Sequence, residues 1–164
     1  MFGLTLRERA AEALRRGARA AMTGAYFHHT KVAELGLNDE ASAWLYTEGL
    51  AHQIYALGLV YGKAFVGKEK WATPDFFFAS VGKGLAEADK ENGLPPTATS
   101  SFVFKRFLEM EALSGEERHK GEHFRQSVVA VQKKDARASA QQIIQALEAA
   151  SSSYFQDVRK MFLV

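Results

Sequence analysis

The densest set of potential metal ligands in this sequence is Glu116, His119, Glu122 and His123. Glu116 and His119 have the E-x-x-H spacing of carboxylate-bridged di-iron bundles, and His119 and His123 stand one turn apart on the same helical face. The remainder of a di-iron site, a second E-x-x-H on another helix with two further carboxylates, is not found. Glu116, His119 and His123 are therefore the candidate metal ligands. The apolar stripe of the helix that carries them, Phe124, Val128 and Val131, projects roughly 110° away from the histidines, which are expected to face water.

Glu48 and His52 are a second pair one turn apart, and they complete a mixed site only if their helix meets the one bearing His119. With Trp44, Tyr55 and Trp71 they also form the candidate lining of an aromatic pocket for an apolar ligand, with His52 or Lys63 as the polar contact. Aromatic residues at helical spacing equally describe an ordinary core.

Other chemistry is incomplete. Gly62-Lys-Ala-Phe-Val-Gly67-Lys68-Glu69 comes within one residue of the phosphate loop G-x-x-x-x-G-K-[ST], but Glu69 puts a carboxylate where the magnesium-binding hydroxyl belongs. The segment also leaves a helix rather than joining a strand to one. No serine sits in a strand-turn-helix context with an ordered histidine and acid, so no catalytic residue is assigned. No cofactor is predicted.

The residues that must be positioned lie in a chain of helical grammar. Its 164 residues are 47% hydrophobic and 24% charged, with no cysteine and a formal net charge of +2. That length is expected to form one domain, 1–164, with one core. The small net charge does not imply a polyanionic partner. The basic residues are uneven, however: Arg7, Arg9, Arg15, Arg16 and Arg19 crowd the first helix against Glu8 and Glu12. Nucleic-acid binding finds no recognition motif; contact with an anionic membrane surface through this helix remains open. No stretch is apolar enough to span a bilayer. The absence of cysteine and of a secretory signal pattern at the N-terminus places the expectation in the cytoplasm.

Thr5 with Glu8 opens the first helix, whose inner face is mostly alanine and so admits a close neighbour. A shorter helix is expected over 23–35. Asn38 caps a long third helix, 39–66, on which Tyr46, Leu50, Ile54, Leu57, Tyr61 and Phe65 form the apolar arc, while Glu48, His52, Gln53 and Lys63 form the polar one. Thr73-Pro74 starts a fourth helix; Gly93, Pro95 and Pro96 break the chain, and Ser100 or Ser101 starts a fifth. Ser114 with Glu117 opens a sixth, drawn through Lys134. The last helix, 136–162, carries the most regular stripe, running from Ala136 and Ala140 through Leu147 to Tyr154 and Met161.

The fold expected is all-α, a bundle of six to seven helices with a long C-terminal helix. The function expected is non-enzymatic, through protein-protein interaction or self-association. The interface candidates are Phe76, which projects to the polar side of its helix, the notch at Gly58 and Gly62, Tyr154 on the last seam, and the apolar tail at Phe162 and Val164. The alternative is a bundle that binds an apolar ligand or a metal ion in the aromatic and histidine-lined pocket, with enzymatic use left open.

Overall fold

The computed structural model describes residues 3–30 and 32–162, the side chains of 28–30 excepted. It is an all-α bundle, 78% helical, with seven helices and no strand among the described residues. The helices are α1 (Leu6–Met22), α2 (Asp39–Phe65), α3 (Pro74–Glu91), α4 (Ala98–Glu111), α5 (Gly115–His119), α6 (Glu122–Gln132) and α7 (Ala140–Met161). Two short 3-10 segments, Ala25–Thr30 and Val32–Leu35, stand where one α-helix over 23–35 was expected. No helix is long and apolar enough to cross a membrane among the described residues.

The helix starts follow local chemistry. The side chains of Thr5, Asn38, Thr73 and Ser114 accept hydrogen bonds from the backbone N–H groups of Glu8, Ala41, Phe76 and Glu117, satisfying donors that the first turn leaves free. Glu117 answers Ser114 in a reciprocal capping box. The final helix begins at Ala140 rather than Ala136, because Asp135 is turned into a loop brace. Its carboxylate accepts from the backbone N–H groups of Asn38 and Arg137, and Ser139 then caps α7.

Two apolar clusters share the interior. One gathers Leu14 from α1, Ile54 and Leu57 from α2, Leu85 from α3 and Met110 from α4. The other gathers Leu45 from α2, Val131 from α6, and Ile143 and Leu147 from α7. The helices α2 and α7 run through both and pack on each other. Each fully buried Leu or Ile stabilises the fold by roughly 1.5–3 kcal/mol. The alanine face of α1 takes α3 at very close range, since a Cβ built on Gly84 would collide with the carbonyl oxygen of Arg15 and lie 3.0 Å from the Ala18 Cβ.

Candidate functional site

The middle of α2 is enclosed, with α4 and α6 packed against the side that projects as its polar arc. Glu48, His52 and Gln53 are consequently buried rather than solvated. Arg106 of α4 and Ser127 of α6 are buried beside them. The Arg106 Nε donates to a Glu48 carboxylate oxygen at 3.0 Å, and its Nη1 reaches Glu109 at 2.6 Å. Nη2 donates to the Ser127 Oγ at 3.4 Å, and that oxygen shares a 2.7 Å hydrogen bond with the His52 Nε2. Three helices are thereby tied through one chain of polar groups, which low local dielectric strengthens when every member is partnered.

Burial, with the His123 ring and the Arg106 guanidinium nearby, holds His52 well below the usual histidine range. Burial likewise pushes the Glu48 carboxyl up, while Arg106 draws it back toward the ionised form. His123 is lowered by burial and by the positive charges of Arg118 and Arg106. Chemically, a serine hydrogen-bonded to a neutral histidine resembles an activated nucleophile. Ser127 has no solvent exposure, however, so a substrate carbonyl has no route to its oxygen.

The candidate metal ligands are dispersed. The expected single helix over 114–134 is two helices, because Gly121 adopts the left-handed conformation at φ 80° and turns the chain between α5 and α6. His119 remains exposed, and Glu116 is an exposed partner of Lys120. His123 is instead carried inward, its ring 5.6 Å from that of His52 and 4.2 Å from that of Phe124. The expectation that both histidines face water therefore holds for His119 and fails for His123. No group of three His, Asp or Glu able to hold a metal ion is found among the described residues.

The aromatic candidates do not share one pocket. Trp44 packs on Phe102 and under the Lys134 ammonium, Tyr55 on Phe107, and Trp71 between Phe65 and Phe76. The interface candidates are mostly taken up inside. Tyr154 is wholly buried, and its hydroxyl donates to the Gly17 carbonyl at 2.6 Å. The notch at Gly58 is filled by the Phe107 ring. Phe76 is half-buried against Trp71 and lies under the Arg7 guanidinium, so its apparent exposure on the helical projection is covered by neighbours outside its own helix. Gly62 is open, with nothing within 4 Å of a Cβ built there. Phe162 packs on Phe65, and Val164 lies outside the described residues.

Two large clefts open to the surface. One, of about 810 Å³, is bordered by Phe27, Tyr46, Leu94 and Phe102 and has no charged side chain in its lining among the described residues. The other, of about 880 Å³, lies between α1, the C-terminal half of α2 and the end of α7. Its α1 wall is Leu6, Ala10 and Ala13; its α2 wall includes Leu59, Val60 and Ala64; its far side is Phe155, Met161 and Phe162. Arg9, Lys63, Lys68 and Arg159 also line it, with Glu69 as the single acid among the described residues. Neither cleft is lined by Glu48, His52, Trp44, Tyr55 or Trp71. Lys63, singled out in the sequence as a polar pocket contact, does line the second, as does Phe65 of the apolar arc. Arg9 and Arg159 stand far apart in the chain, so no local spacing pairs them.

No protein-family model matches the sequence, and no significant match is found to a curated protein or to a solved structure.

Proposed function

We propose that this chain is a non-catalytic binding protein whose ligand is an apolar molecule held in the α1–α2–α7 cleft. The observation that carries the reading is the cleft's size and lining: about 880 Å³, walled by aliphatic and aromatic side chains, with Leu59 left 53% exposed in the C-terminal half of α2. Ligand pockets are concavities of roughly 300–1,000 Å³ with mainly apolar walls and a few placed polar groups. The groups that a catalytic reading would use, Glu48, His52, Arg106 and Ser127, are buried and bonded to one another. Self-association is the weaker reading because Tyr154 and Gly58, which it relied on, are engaged within the chain.

The test is titration with Nile red, an uncharged dye whose emission rises in apolar surroundings. One saturable site per chain is expected. Ala13→Phe, which sets a ring into the α1 wall, should weaken binding at least tenfold with unchanged far-ultraviolet circular dichroism. A folded protein that leaves the dye's emission unaltered would refute the reading, and concentration-dependent dimerisation in that case would favour self-association.

A further inference from the structure

The four cations of this cleft, like Arg7, lack among the described residues the ion pairs that the later arginines of α1 make. On the same helix, Arg15 pairs with Glu12 and Glu87, Arg16 with Glu12, and Arg19 with Glu87 and Glu91. Arg9, Lys63, Lys68 and Arg159 make no ion pair among the described residues. They come from α1, α2, the loop after α2, and α7, and they line one apolar concavity in which Glu69 is the one acid among the described residues. The Lys68 ammonium is held over the end of α2 by donating to the Lys63 carbonyl at 3.3 Å. Surface cations repel one another, so four of them facing one carboxylate leave a field that attracts an anion.

We infer that the cleft takes a free single-chain amphiphile with an anionic headgroup, of the long-chain carboxylate class, its chain on the apolar walls and its head at Arg9, Lys63, Lys68 and Arg159. This rests on the proposed cleft binding and specifies its ligand. A hydrocarbon chain is recognised by area removed from water, worth about 25 cal/mol per Å². The headgroup is recognised by charge-assisted hydrogen bonds, for which guanidinium groups offer paired donors to a carboxylate. Geometry separates this occupant from a bilayer. A protein that inserts into a leaflet presents protruding apolar side chains; here Leu6 and Leu59 are exposed at the cleft, but Ala10, Ala13, Ala64 and Phe155 lie along the walls of a hollow and are themselves buried or half-buried.

The full chain tests this with its own reporter. Trp71 packs on Phe65, a cleft residue, at 5.2 Å between ring centroids, and Trp44→Phe leaves Trp71 as the remaining tryptophan. Dodecanoate and 1-dodecanol are titrated below their limits of aggregation and solubility, and anionic vesicles of phosphatidylglycerol and phosphatidylcholine are tested by co-sedimentation. Dodecanoate is expected to bind saturably and at least tenfold more tightly than the alcohol, less tightly as salt rises. Arg9→Gln with Lys63→Gln should remove most of that preference while keeping the affinity for dodecanol. Equal affinity for acid and alcohol would overturn the headgroup assignment and leave the apolar cleft standing. Failure of both ligands, with no effect of Ala13→Phe on Nile red, would overturn the cleft reading itself. Sedimentation with vesicles without a response to monomeric dodecanoate would overturn the free-ligand assignment in favour of a membrane surface.

Discussion

The Nε2 of His52 lies 2.7 Å from the Oγ of Ser127, joining residues that stand 75 positions apart in the chain. Both are buried, and the Phe124 ring stacks on the imidazole at 4.7 Å. A histidine so enclosed has its neutral form selected by the fold, because burying the imidazolium beside Arg106 costs more than leaving it unprotonated. The pair therefore joins α2 to α6 and makes folding sensitive to acid.

Stability is expected to fall as pH drops below about 6.5. Above that value His52 is neutral in both the folded and unfolded chain; below it, the unfolded chain binds a proton that the folded one refuses. The slope from His52 is up to about 1.4 kcal/mol per pH unit, lost toward lower pH. Glu48 acts in the opposite sense, since its raised folded pKa makes the folded state bind a proton first as pH approaches 4.5. Urea midpoints between pH 7.5 and 5.5 should decline in the native sequence and decline less in His52→Gln, with the half-buried His123, also lowered, keeping part of the slope. Parallel profiles would mean that His52 is not the group responsible.

Removing one member of the Glu48–Arg106 pair should be worse than removing both. Arg106→Met leaves a carboxylate buried without its countercharge, a loss of about 3–5 kcal/mol, whereas Glu48→Leu with Arg106→Met exchanges a desolvated pair for apolar contact and returns most of it. Glu109, the other carboxylate on Arg106, is exposed and keeps water as a partner. Urea unfolding of the two single variants and the double one measures this; a double variant as unstable as the sum of its parts would show that the charges are not coupled.

The helices were legible because their signals are local. Thr73-Pro74, Asn38 and the Ser114–Glu117 box act within one turn, and each caps the helix expected of it. The burial of the polar arc of α2 was not legible, for the opposite reason. At 100° per residue Glu48 and His52 project away from the apolar arc, but the groups that satisfy them, Arg106 and Ser127, come from α4 and α6, and no spacing rule reaches that far. Gly121 was the available warning against one continuous sixth helix. The cleft was legible only in fragments, Lys63 and Phe65, because its rim is assembled from three helices and a loop.

The glycines of α2 and α3 should separate by what faces them. Gly84→Ala drives a methyl group into the backbone carbonyl of Arg15, which a helix cannot move aside, and is expected to cost about 1–3 kcal/mol or more. Gly58→Ala meets the Phe107 ring, its Cε2 2.7 Å away, and should cost less if the ring shifts. Gly62→Ala meets nothing within 4 Å and should gain roughly 0.5–1 kcal/mol from the helical backbone. Thermal midpoints of the three variants, ordered Gly62→Ala, Gly58→Ala, Gly84→Ala from highest to lowest, check the packing directly.

Arginine-rich α1 is expected to divide into a structural half and a binding half. Arg15 and Arg19 reach across to Glu87 at 2.7 and 3.0 Å, and Arg19 also reaches Glu91 at 2.5 Å, so their charge is spent on α3. Arg9 has no such carboxylate and faces the cleft. Arg15→Gln with Arg19→Gln should lower the thermal midpoint and make it less sensitive to salt, because exposed pairs are screened by ions. The same variant should bind dodecanoate within about twofold of the native affinity, since the cleft's distinct field is untouched. Arg9→Gln should do the reverse, with an unchanged midpoint and weaker dodecanoate binding. Equal losses of dodecanoate affinity in both variants would mean that the helix attracts anions by its total charge, as the bare sequence of Arg7 to Arg19 first suggests, rather than through a cleft built by three helices.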